Sequence, residues 1–438
     1  MIDLRQPAIR HIAFYLLGLS LMLVTAASDA EDWPQFRGPD GQGHSAESNL
    51  PIEWSESKNI AWKTPIPGLG WSSPVVANGK VWLTSGDEAG GSLRAIAVDC
   101  RSGKVLHDVE VVHKSDLGRI SFKNSHASPT PVIDGDRVYV HFGAHGTACL
   151  TTDGKILWTT ELPYDHRHGP GGSPVVWNDL LIVACDGADQ QYIVALDKTS
   201  GEPRWKQARS GEMAYSTPLV VRVGSSDQVV AVGGGAAVAY QPETGDEVWR
   251  CRFEGHSVVP RPVCAGSLLF FCTGYWTPSL YALRTDGKGD VTETHVVGRI
   301  HRSVPLTTSP LIIDDLLYMV NDLGTLTCVD ARQGAERWHK RLGGNFSASP
   351  VSADGRLYLL NEDATTSVLA AGKEYALVAT NRLEGRALAS PAISNGAIYL
   401  RTEEHLYKIA ARDSSLDRQQ AATPASRSSS RTAQAKVE

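Results

Sequence analysis

A Ser/Thr-Pro-hydrophobic motif returns eight times along this chain and restricts what it can become. It reads Ser73-Pro74-Val75, Thr130-Pro131-Val132, Ser173-Pro174-Val175 and Thr217-Pro218-Leu219, then a degenerate Arg261-Pro262-Val263, then Ser309-Pro310-Leu311, Ser349-Pro350-Val351 and Ser390-Pro391-Ala392. Successive prolines stand 57, 43, 44, 44, 48, 40 and 41 residues apart. A period of roughly 40–50 residues built from short strands means a solenoid, a propeller or an array.

The third repeat shows the unit most clearly. Val175-Val176-Trp177, Leu180 to Ala184, Tyr192 to Leu196 and a last run at Trp205 are four short apolar runs separated by turn residues. That is the pattern of an antiparallel meander. Proline is tolerated at the head of the first run, because a strand's first residue need not donate to the ladder. The repeat closes on Ala-x-Asp-x3-Gly-x3-Trp. Ala195, Asp197, Gly201 and Trp205 fit it in full. Gly245 and Trp249, Gly334 and Trp338, and Gly103 with His107 follow it with single replacements, and Trp158 ends a shortened copy. Asp suits the turn and Gly a positive φ, while Trp offers a flat apolar face to the neighbouring sheet. These residues are read as structural.

The eighth repeat lacks its Trp-bearing strand. Asn59-Ile60-Ala61-Trp62-Lys63-Thr64, ahead of the first repeat, has the right character to supply it. The reading is an all-β, eight-bladed β-propeller of four-stranded antiparallel blades, closed by an N-terminal strand that completes the last blade.

The ends differ from this body. Residues 1–30 carry Arg5 and Arg10 ahead of an apolar core from Ile12 to Ala27, then Ser28-Asp29-Ala30. They are read as a cleaved signal peptide, the 16-residue core being short for a spanning helix. No Cys near the cleavage site suggests a lipoprotein. The tail, 412–438, is rich in Ser, Ala, Arg and Gln without apolar periodicity and is expected to be disordered. The chain's net charge is −6; the leader is neutral and the tail +2, so the propeller body, 31–411, carries −8. An acidic body argues against nucleic acid as a partner. Seven cysteines without a C-x-x-C leave the pairing open, and the odd number leaves at least one free thiol.

In this strand order, the loops before each first strand share a face with those joining second to third strands. Candidate binding residues on that channel mouth are His126, His168, Asp186, Tyr215, Arg261, Trp276, Asn321, Asp322, Asp363 and Arg401. No nucleophile elbow or phosphate loop occurs, and Gly233-Gly234-Gly235 reads as a loop between strands. His166-x-His168 has no partner nearby in sequence, and no metal site is assigned.

The repeated Ser-Pro start and the Ala-x-Asp-x3-Gly-x3-Trp end resemble the PQQ-like repeat, the quinoprotein-type and BamB-like eight-bladed propellers. The resemblance covers about 32–411, and the opening Asp32-Trp33-Pro34-Gln35-Phe36-Arg37-Gly38-Pro39 is similar to the lead-in of secreted bacterial members. It implies one of two functions. One is a non-catalytic envelope scaffold without a cofactor that binds a protein, peptide or glycan. The other is a dehydrogenase of alcohols or sugars using pyrroloquinoline quinone (PQQ) with Ca²⁺, for which Trp276, Arg261 and rim carboxylates are the available residues. The chain lacks the adjacent Cys-Cys pair and long insertions of the dehydrogenases, and the lipobox Cys of BamB. The reading is therefore a periplasmic or secreted scaffold that does not span the membrane.

Overall fold

The computed structural model describes residues 31–411, apart from 88 and 90. The expected signal peptide and tail lie outside the described residues. Among those described, 33 strands form eight sheets, and no helix is long and apolar enough to cross a membrane. Seven of the sheets run their four antiparallel strands as a meander in chain order. Blade three runs Val175–Trp177, Leu180–Asp186, Gln191–Asp197, Pro203–Arg209. One sheet departs from four strands: Gly289–Asp290, from the loop of blade five, pairs in parallel with Glu247–Arg252 of blade four.

The last sheet closes the ring as the sequence implies. Ile60–Pro65 pairs antiparallel with His405–Ile409, setting Thr64 opposite Leu406. Burial follows position within a blade. Central strands such as Leu180–Asp186 are buried along most of their length, because a neighbouring blade covers each face. Outer strands such as Pro203–Arg209 alternate between half-buried and exposed. The apolar core consequently lies between blades. In one layer Val75, Trp82 and Ala97 of blade one pack with Val138, Val140 and Leu150 of blade two.

The closing motif of each repeat knits these layers. The indole of Trp158 covers Gly201 of the next blade so closely that a Cβ there would stand 2.5 Å from the ring. Trp205 covers Gly245 and Trp62 covers Gly103 in the same way. Each of these indoles also donates to a carbonyl of that next blade: Trp62 to Cys100, Trp158 to Lys198 and Trp205 to Pro242, at 2.8–3.1 Å. Two members differ. Trp249 is fully buried and donates to Gln228 in its own blade. Gly334 has no atom near the place of a Cβ, because the preceding outer strand, Val296–Ile300, carries no Trp. The motif Asp ties the turn: Asp197 accepts from the N–H of Thr199 and Ser200 and the Thr199 hydroxyl. Those bonds hold its carboxyl down at about 2. All seven cysteines are free thiols, six of them buried.

Candidate functional site

The Ser or Thr before each motif proline has a shared task. Its hydroxyl accepts the backbone N–H of the equivalent residue in the preceding blade. Ser73 N–H donates to Thr130, Thr130 to Ser173 and Ser173 to Thr217, at 2.9–3.0 Å. Arg261 N–H donates to Ser309, Ser309 to Ser349, Ser349 to Ser390 and Ser390 back to Ser73, at 2.9–3.1 Å. A girdle of hydrogen bonds therefore runs round the channel. It is broken only after Thr217, where Arg261 replaces the hydroxyl residue.

The chain's own lead-in crosses this channel. Trp33 N–H donates to Val76 of blade one, and Pro34 accepts from Ile133 of blade two. Arg37 donates to the Ser309 and Pro310 carbonyls of blade six, and Gly43 accepts from Ser352 of blade seven. Arg261 reaches in from blade five to the Phe36 carbonyl at 2.6 Å. Contacts to opposite sides of the ring from one short segment require it to span the axis. The result is a blind funnel of about 680 Å³ with Phe36 in its wall and the girdle hydroxyls around it.

Aromatic side chains crowd the wider end. Phe122, Tyr275 and Trp276 are 82%, 41% and 67% exposed and all face the funnel, with His168 and Tyr215. The Trp276 ring stacks on His256 at 4.7 Å, and its φ of 76° is a left-handed conformation rare outside glycine.

Of the ten residues singled out on the mouth, His168, Tyr215 and Trp276 line the funnel. Arg261 does not face it: it is buried, donates to the Pro218 and Phe36 carbonyls, and anchors the lead-in. Burial and then Asp40 set its guanidinium, with burial dominant and the value brought to about 10. Arg401 is also buried, donating to Ser72 and Thr84. Asp186 is buried in an ion pair with Arg209 at 2.9 Å; burial raises its pKa against the pull of that cation. Asp322 stands behind the wall, where it accepts from Leu306 and Thr307, and burial raises its pKa too. Asn321 caps its own turn through Leu323 and Thr325. Asp363 is exposed, and its N–H donates to the Asn361 side chain. His126 is buried beside His145 and His166. Sequence reasoning missed the hydroxyl girdle, Phe36, Phe122 and Lys123. The girdle had a signal, the hydroxyl at seven of eight motif starts, but its partners lie some 40 residues away.

A calcium-bound quinone needs several oxygen ligands, carboxylates among them. No carboxylate lines the funnel among the described residues. Glu362, close behind, is taken by Lys123 and Ser347 at 2.8 and 2.7 Å. Arg261 is committed to the lead-in. The residues present do not fit PQQ with Ca²⁺.

The eight meanders, the girdle and the indole-on-glycine contacts define the chain as a propeller of PQQ-like repeats. It belongs to the family described as outer membrane protein assembly factor BamB, whose profile matches residues 45–211, 189–288 and 301–374. The chain is 24% identical over 306 residues to an outer membrane protein assembly factor BamB of Burkholderia pseudomallei, covering 67% of this chain and 74% of that protein. BamB from Moraxella catarrhalis superposes with a TM-score of 0.58 at 13% identity, over 80% of this chain and 99% of that one. A quinohemoprotein alcohol dehydrogenase from Comamonas testosteroni superposes with 0.63 at 11%, over 87% and 81%. At those identities the structural likeness is one of fold.

Proposed function

We propose that this protein is a non-catalytic binding scaffold of the cell envelope, periplasmic or secreted, that takes a protein segment, peptide or glycan at the aromatic mouth of its funnel. The observation that carries this reading is the blind, hydroxyl-lined funnel, rimmed by exposed Phe122, Tyr275 and Trp276 and free of lining carboxylates among the described residues. Aromatic rims supply large contact area at small entropic cost, and hydroxyls supply adaptable hydrogen bonds. The kinship with BamB supports a role in holding partners of the outer membrane. No cofactor is part of this reading.

The test is ligand capture by the wild-type chain and by Trp276→Ala, on arrays of envelope glycans and of peptides from outer-membrane proteins. One class should bind the wild type, and Trp276→Ala should weaken it about 30-fold, the loss of a central aromatic anchor. Binding that ignores Trp276, Tyr275 and Phe122 alike would overturn the placement.

A further inference from the structure

Three histidines from three different loops converge beside the funnel. His126 precedes the first strand of blade two, His145 lies between that blade's second and third strands, and His166 precedes blade three. Each offers a ring nitrogen, and those nitrogens all lie within 4.8 Å of one another. The His126 and His145 ring centres are 5.3 Å apart, and those of His145 and His166 5.0 Å, both edge to face. His168, the nearest histidine to His166 in sequence, is not part of the group and faces the funnel instead.

From this geometry we propose that His126, His145 and His166 form a binding site for a divalent transition metal, Zn²⁺ by preference. Three imidazoles without a carboxylate are the donor set of zinc and its neighbours, whereas calcium and magnesium seek oxygen. His145 has a ring nitrogen left for a ligand. Its Nε2 is buried without a hydrogen-bond partner among the described residues. A tetrahedral zinc, with bonds of about 2.0 Å, would bring the three nitrogens to about 3.3 Å from one another. Ligation must turn the rings to bring about that closure. His166 accepts a long bond, 3.3 Å, from Ala144 N–H at Nδ1, and that bond would yield on ligation. Three protein ligands leave a fourth position for water or a ligand group. The metal would clasp the loops that lead into blades two and three. This inference goes beyond the scaffold reading and does not rest on it.

The experiment uses the untagged chain, stripped with EDTA, then incubated with Zn²⁺ and freed of excess by gel filtration. About one zinc per chain should be retained, and Co²⁺ in its place should give the intense visible bands of a tetrahedral site. His145→Ala, at a partly exposed position, and His126→Gln should each cut retention at least about tenfold. His339→Ala, on an exposed outer strand, should leave it unchanged. Zinc should also raise the melting temperature of the wild type and not that of His145→Ala. The Co²⁺ spectrum is read on the wild type, so a misfolded variant leaves the proposal open to refutation. A wild-type chain that keeps no zinc, a Co²⁺ spectrum without tetrahedral bands, or retention that survives His145→Ala would each overturn it.

Discussion

Arg261 stands where seven other repeats carry serine or threonine, and its side chain does different work. The guanidinium holds the Phe36 and Pro218 carbonyls and so fixes the lead-in across the channel. Replacing it by Ala orphans two buried acceptors, each costing about 1–3 kcal/mol. Arg261→Ala should therefore lower unfolding stability by about 3 kcal/mol in a denaturant titration. Arg261→Ser should lose about 1 kcal/mol less, because the new hydroxyl meets Thr217 N–H and mends the girdle. Equal losses would show that the girdle adds nothing. None of this was legible in advance: the degenerate motif placed Arg261 on the right face, but its side chain's direction depends on Phe36, 225 residues away. Arg401 and Asp186 were misplaced for a related reason. A charged residue in a loop position reads as exposed unless its long-range partner is known, here Ser72 and Thr84 for one and Arg209 for the other.

At the scale of the blade, the sequence was far more explicit. Strand runs, turn Asp, turn Gly and outer Trp recur at fixed spacing because each blade solves the same local problem: four strands and two faces, each covered by a neighbouring blade. What the spacing could not show is that the Trp of one blade sits on the Gly of the next. That contact makes two glycines of equal motif rank unequal. Gly201 has φ +76° and lies under Trp158, while Gly334 has φ +68° and open space. Gly334→Ala should cost about 1–2 kcal/mol, the penalty of a left-handed backbone. Gly201→Ala must in addition displace an indole, and should cost at least about 3 kcal/mol. Chemical denaturation of the two variants side by side would decide it; matched losses would mean that the Trp158–Gly201 contact is not the seam between those blades. The three histidines were likewise invisible at this scale, since His126 and His145 belong to one blade and His166 to the next.

The whole molecule depends on its N-terminal segment twice. Ile60–Pro65 completes the last sheet, and the stretch around Arg37 crosses the channel. The first role was readable, because blade eight visibly lacked a strand and one was spare at the other end. The second was not, because nothing in Trp33 to Gly43 has strand periodicity. Removing residues 31–66 should expose the edge of His405–Ile409 and lower the melting temperature by at least about 10 °C. A truncated chain that melts with the intact one would refute closure by this strand. The same architecture frames function: a rigid ring presents an aromatic, hydroxyl-lined mouth and closes the channel behind it. The most direct trial of the non-catalytic reading is retention of PQQ. The chain is mixed with PQQ and Ca²⁺, gel-filtered, and the protein peak scanned for quinone absorbance, then assayed for dye-linked alcohol and sugar oxidation. A protein peak free of quinone and without turnover is the predicted result; stoichiometric quinone with turnover would contradict the account.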